Sequence, residues 1–215
     1  MRKLYIVGSG GFGKEALWLA KRINSDAATW DLVGFIDDDP SLHNKIQCGY
    51  PVVGGCDYLG ALSEEVWVAV AIGTAKVKKA VVEKLMQYRN VHFATLIDPS
   101  VIRADRVCVE EGCIICAGTV LAVDSVIGKH TIINLSCTVG HDAVLEDYVT
   151  VYPGVNISGN VIVSEAVELG TGMQVIQGKK IGRQSIVGAG SVVVKDIPER
   201  CTAVGSPAKP IKFFD

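Results

Sequence analysis

The residues with the clearest capacity for chemistry stand together at Gly140-His141-Asp142. Histidine changes charge near neutral pH, and a close carboxylate favours the imidazolium, so the pair suits general-base work. A lone surface histidine is otherwise simply solvated, so the weight of the pair depends on its surroundings. The second cluster is Gly8-x-Gly10-x-x-Gly13, between an apolar stretch at 4–7 and a helical pattern. Glycines at that spacing let backbone amides approach a phosphate at a helix N-terminus. Asp37 stands where an acid would meet a ribose in a dinucleotide fold. A tight turn is the competing reading of the glycines. The α/β part has about half the length of a full dinucleotide domain, so one nucleotide, or a nucleotide sugar, fits better than NAD. Cys113-x-x-Cys116 resembles half a zinc site, but no second pair follows at ligand spacing. Packing is expected for these thiols, and no metal. His43, His92 and His130 lie in loop, strand-edge and repeat contexts with less to recommend them.

Two kinds of element must position these groups. From Ile97 to Val193 every sixth residue is aliphatic, with Arg103 the exception. A period of six fits neither a helix at 3.6 nor a two-faced strand at 2; it fits a β-helix of hexapeptide repeats. His141, two residues after the inward Val139, should project outward. If three hexads complete a turn, residues eighteen apart stack: Gly159, Gln177 and Lys195 above His141, Val123 and Asp105 below. Gly159 would leave open space and a bare N–H able to support an acyl oxygen as it gains negative charge; a plain corner glycine is the alternative. The hexads leave no inserted loop to roof a pocket. A deep site must therefore form against the N-terminal part or a neighbouring coil, and closed homo-oligomers are the common solution. The front of the chain reads as strands at 4–7, 32–36 and 66–72. Helical spacing runs over 14–24, and a Thr-capped helix over 74–88 with Val77, Val81, Leu85 and Tyr88 on one face. This is a small Rossmann-like parallel α/β unit. The expected division is 1–96 and 97–215, with no linker between.

Composition narrows the classes. In 215 residues, 21 Lys plus Arg against 23 Asp plus Glu leave a formal net charge of −2, which offers no field for nucleic acid. The longest apolar run, 66–72, falls far below the ~20 residues that span a bilayer, so no membrane insertion is expected. The N-terminus enters a strand directly, leaving no room for a signal peptide. Seven irregularly spaced cysteines suit a reduced, cytoplasmic protein.

The ending Ile186-Val187-Gly188-Ala189-Gly190-Ser191-Val192-Val193, followed by Val204-Gly205-Ser206-Pro207-Ala208-Lys209, resembles that of the left-handed parallel β-helix acyltransferases. Together with 7–15 (VGSGGFGKE) and Gly140-His141-Asp142, the chain is similar to the bacterial sugar acetyltransferase family. That family includes the nucleotide-4-amino-sugar N-acetyltransferases and the proteins called sialic acid O-acetyltransferases. The resemblance implies a homotrimer that uses acetyl-CoA, with each active site between two subunits. It implies His141 as base, Asp142 as the residue that raises its basicity, and Asn134 as an aid in placing the acceptor. The nucleotide part of a nucleotide-sugar substrate would lie on Gly10, Gly11, Phe12, Asp37, Asp38 and Gly73. Acetyl-CoA would run past Thr150, Gly159, Thr171 and Ala189. Phe12 and Thr150 stand where some relatives carry His. The implied activity is N-acetylation of a nucleotide-linked amino sugar in surface polysaccharide or glycan synthesis. Sugar O-acetylation is the alternative within the enzymes, and a non-catalytic nucleotide-sugar-binding solenoid is the alternative outside them. Lys195 and Lys209 are either CoA phosphate contacts or ordinary solvated lysines.

Overall fold

In the computed structural model, which describes residues 1–214, the apolar stretches of the first third form one sheet. Its strands are β1 (Arg2–Val7), β2 (Trp30–Ile36), β3 (Ile46–Gln47), β4 (Tyr50–Gly54), β5 (Val66–Val70) and β6 (Val91–Phe93). Their spatial order is β3-β4-β2-β1-β5-β6. All pairings are parallel except the β3–β4 hairpin, whose turn puts Cys48 and Gly49 at positive φ. Helices α1 (Gly11–Asp26), α2 (Cys56–Gly60) and α3 (Ala75–Leu85) connect the strands. Leu4, Ile6, Phe35 and Ala69 pack with Ala16, Leu17, Leu19 and Ala20 of α1 in one core.

From Leu96–Ile97 onward the chain is a left-handed parallel β-helix. Two-residue strands recur every six residues, and pairing steps by eighteen, as in Ile114↔Ile132 and Ile115↔Ile133. The first face runs from Leu96–Ile97 to Ile186–Val187, the second from Ile102–Arg103 to Val192–Val193, and the third from Cys108–Val109 to Lys180–Ile181. The second residue of each strand points inward and, with one small residue per corner, builds a core in which Leu121, Ile133, Val151, Leu169 and Val187 are wholly buried. Arg103 breaks the aliphatic column at the coil's open first turn, where its guanidinium donates to the carbonyl of Val107. A polar side chain is tolerated there because no turn lies beneath it. At the far end Cys201–Val204 and the antiparallel Lys209–Phe213 extend the first face, so the segment after the hexads is a hairpin rather than turns alone.

The outward residues of the first face decide where the α/β unit sits. Leu96, Ile114 and Ile132 are buried under α1 and belong to its core. Polar ties complete the seam. Arg22 of α1 donates to both carboxylate oxygens of Asp98, at 2.6 and 3.0 Å. Burial pushes the Asp98 carboxyl up, but the bonds from Arg22 and Ser100 outweigh it and hold the pKa down to about 2. On α3, the face expected to be buried is turned. Val77 is exposed, and Ala75, Lys78, Val82 and Leu85 face inward. The helix lies between sheet and coil, and the long Lys78 chain reaches across to the Val149 carbonyl and the Thr150 hydroxyl, at 3.0 and 2.9 Å. Thr74 does start this helix, but its side chain makes no capping bond. Cys113 lies in the coil core and Cys116 in the core beneath α1, so the two thiols pack on opposite sides of one sheet wall.

Candidate active site

The coil's register sets the corner that carries His141. Val139 is buried at the end of a second-face strand, Gly140 follows without room for a Cβ, and His141 leaves the coil with a half-exposed side chain. Asp142 takes φ +56, a left-handed conformation that Asp tolerates better than most residues. That turn brings its Oδ2 to 2.8 Å from His141 Nδ1. With Nδ1–H donating to the carboxylate, Nε2 is presented as the lone-pair acceptor. Nε2 lies over Gly159, where any Cβ would collide with it. The space left by the glycine is therefore filled by the imidazole itself. The amides of Ser158 and Asn160 are spent on the carbonyls of Val175 and His141, which leaves the Gly159 N–H outside the ladder, next to the base. Val123, Ile176 and Val194 stay exposed along this edge, so the histidine has an apolar rim.

The glycine loop serves a second place. Gly8 has φ +98 and Gly13 has its α-carbon against the Gly8 carbonyl, so those two shape the turn and the helix–strand approach. Gly10 and Gly11 have nothing within 4 Å of where a Cβ would be, which leaves open space above them. The first intrahelical bond is Lys14 N–H to the Gly10 carbonyl. The amides of Gly11, Phe12 and Gly13 are therefore free to meet an anion. Asp37 closes the loop from behind, accepting from the Ser9 amide and hydroxyl at 2.9 and 2.7 Å. Burial raises its pKa, but these bonds and one from the Asp39 amide outweigh it, and the carboxyl sits below its usual range. Asp38 accepts from the Cys56 amide at 2.7 Å and pairs with Lys84. Both acids are thus used within the α/β unit, at the carboxyl end of β2.

A cavity of about 210 Å³ opens between this loop and the first face of the coil, lined by Gly11, Phe12, Glu15, Gly73, Ile132, Asn134, Thr150 and Tyr152. Five residues singled out in the sequence meet here: Gly11, Phe12, Gly73, Asn134 and Thr150. Thr150, for which the resemblance implies a place along acetyl-CoA, is buried and accepts from Lys78. Burial lowers the Lys78 pKa to about 7. Tyr152 donates to Glu168, whose other oxygen accepts from the Ala75 amide. Burial and the Glu168 carboxylate push the Tyr152 hydroxyl up to about 12. Lys78, Tyr152 and Glu168 were not among the expected residues. Stacking by eighteen points to two of them, since Tyr152 lies above Asn134 and Glu168 above Thr150.

The structure does not bring every expected residue to one place. Thr171 and Ala189 stack on the edge between the first and second faces; His141 and Gly159 lie on the edge between the second and third. The cleft is on the first face. Among the described residues no group of His, Cys, Asp and Glu is arranged to hold a metal ion. Nor is any helix among them long and apolar enough to cross a membrane.

A coil of hexads with an exposed His–Asp pair at its edge, joined to an α/β unit that opens on a glycine loop, is the build of a hexapeptide-repeat acyltransferase. The PglD N-terminal domain family matches residues 3–85. GDP-perosamine N-acetyltransferase of Escherichia coli O157:H7 is 29% identical over 214 residues, 96% of this chain and 95% of that protein. PerB from Caulobacter crescentus, solved in complex with CoA and GDP-perosamine, has a TM-score of 0.88 and 32% identity, covering 99% of this chain and 98% of that one. The acetyltransferase domain of PglB from Neisseria gonorrhoeae, in complex with acetyl coenzyme A, has a TM-score of 0.88 and 31% identity, covering 98% and 99%. The chain belongs to the bacterial hexapeptide-repeat sugar N-acetyltransferases.

Proposed function

We propose that the protein transfers the acetyl group of acetyl-CoA to the amino group of a nucleotide-linked amino sugar, with residues 1–96 holding the nucleotide sugar and 97–215 performing the transfer. The observation that carries this reading is the His141 ring, fixed by Asp142 through Nδ1 and presenting Nε2 beside the unspent Gly159 amide. Nε2 accepts a proton from the amine as its nitrogen attacks the thioester carbonyl. The Gly159 N–H supports the oxygen as it becomes negative. The imidazolium then returns the proton to the departing thiolate, and the amide product and free CoA leave.

The cleft on the first face takes the sugar, and the free amides at Gly11 to Gly13 take the diphosphate. His141 points away from that cleft, so a base from another copy must complete each site. The apolar rim around His141 supports such a contact, and the family resemblance points to a homotrimer. In that assembly Thr171 and Ala189 of one coil would flank CoA opposite Gly159 of the next. Seven free cysteines, five of them buried, support residence in a reducing compartment such as the cytoplasm.

The test is release of free CoA from acetyl-CoA with UDP-, GDP- and dTDP-amino sugars, beside sugars that offer only hydroxyls. Rapid release with one amino sugar is expected. Release with hydroxyl acceptors alone would overturn N-acetylation in favour of O-acetylation. CoA binding without release would favour a binding protein.

A further inference from the structure

A count of donors and acceptors around the first-face cleft leaves one charge unaccounted for. The Thr150 oxygen accepts from Lys78, Tyr152 donates to Glu168, and Asn134 Oδ1 accepts from the Leu135 amide. What remains for a ligand is the Asn134 NH₂, the Thr150 O–H, a lone pair of the Tyr152 oxygen, the amides of the glycine loop, and, as the one charge, the carboxylate of Glu15. Among the described residues lining the cavity, Glu15 is the one that carries a charge. It has no hydrogen-bond or ion-pair partner within the described residues, and it stands one helical turn along α1 from Gly11 and Phe12. Phe12 and Ile132 supply an apolar wall beside it. A pocket of about 210 Å³ has room for a single hexose ring.

We propose that Glu15 is a specificity-determining residue for the sugar, accepting hydrogen bonds from two neighbouring ring hydroxyls while Asn134 donates to the ring's opposite edge. This rests on the reading of the cleft as the nucleotide-sugar site. Hydroxyls are the fitting donors, rather than the reacting nitrogen. A carboxylate that gripped the amino group would hold it as ammonium, with no lone pair to attack the thioester. The acceptor nitrogen must instead point out of the cleft, toward the base of another copy. Bonds from hydroxyls to a carboxylate are charge-assisted and roughly twice as strong as neutral ones, so loss of the charge alone should be measurable.

The experiment measures binding rather than turnover, on the full-length protein, so that it stands apart from the test of activity. Affinities of UDP, GDP and dTDP are compared with those of their hexose and amino-hexose conjugates by calorimetry, for the wild type, Glu15→Gln and Glu15→Ala. In the wild type the sugar should improve affinity over the bare nucleotide by about tenfold or more. Glu15→Gln should remove most of that gain and Glu15→Ala nearly all, with affinity for the bare nucleotide unchanged. Conjugates lacking one of the paired hydroxyls should lose affinity in the wild type and lose nothing further in Glu15→Ala. An equal sugar gain in all three proteins would overturn the assignment, as would a wild type that gains nothing from the sugar. A Glu15-dependent gain confined to amino-hexoses and vanishing above the amine's pKa would overturn the hydroxyl reading. Sugar-dependent binding that needs Glu15, in a protein that transfers no acetyl group, would leave Glu15 in place and remove the proposed reaction.

Discussion

The first-face cleft and the His141 edge are built from the same repeat, yet they are opposite kinds of site. The cleft is walled by two units of one chain. Its polar groups are backed by Lys78, Glu168 and the α3 N-terminus, and Thr150 and Asn134 are buried. The edge has no roof: the His141 side chain is 58% exposed, held by one hydrogen bond and the floor of Gly159. The contrast teaches that one repeat can give both an enclosed pocket and an open corner; under the proposed reaction the two would have to meet across copies.

Removal of the base should break the comparison most severely. His141→Ala is expected to lower kcat by about 10²–10⁴ while nucleotide-sugar and CoA binding persist. Steady-state kinetics beside calorimetry checks this, and an unchanged kcat would remove the base assignment. Gly159→Ala tests the corner without touching the base. Its Cβ would meet the imidazole and push Nε2 from its place, and a displacement of about 1 Å can cost ~10²-fold. The expected signature is a lost kcat with an intact cleft, seen as unaltered nucleotide-sugar affinity.

The cleft answers to pH instead. Lys78 has a folded pKa of about 7, below the usual lysine value of 10.5, because burial disfavours its charge. The unfolded chain therefore binds more protons between those values, and the seam gains stability as pH rises from about 7 toward 10.5. The slope for one such group is at most ~1.4 kcal/mol per pH unit. Lys78→Met should flatten that rise, read from urea unfolding at pH 7 and 9.5, whereas equal slopes in both proteins would argue against a buried charge there.

The smallest effect concerns His130, stacked on Tyr148 and met edge-on by Phe93, with Nδ1 lacking a partner among the described residues. Burial, then the nearby Lys78, lowers its pKa to about 4. Stability should fall as pH drops from 6.5 toward 4, where the unfolded chain takes up the proton first. His130→Asn keeps the left-handed backbone (φ +55) and should lessen this acid loss while lowering stability at pH 7. An unaltered acid profile would place the titration elsewhere.

Much of the corner was readable in advance. A period of six sets the coil, and stacking by eighteen already places Gly159 against His141. The cleft was less so. Motif and resemblance point to Gly11, Phe12, Gly73 and Asn134, but nothing in their spacing says that they share one cavity. Asp37 and Asp38 sit where expected, yet their carboxylates are committed to Ser9, Cys56 and Lys84. Val77 and Lys78 traded places because helical spacing sees one apolar face, whereas α3 is covered on two sides.

The chain's local chemistry settles the features that repeat. An aliphatic residue pointing inward at each strand, and small or left-handed residues at the corners, leave one way to wind the coil. Gly8 and Gly13 likewise permit one turn into α1. Which face of the coil receives the α/β unit was decided only in three dimensions. Outward aliphatics occur on all three faces, with Ile102 and Val126 as apolar as Ile114 and Ile132, yet only the last two are buried. Periodicity encodes which side chains leave water within a repeat. It does not encode which outward surfaces match in shape and charge across more than seventy residues, as Arg22 matches Asp98 and Lys78 matches Thr150. The cavity exists because of those long-range matches.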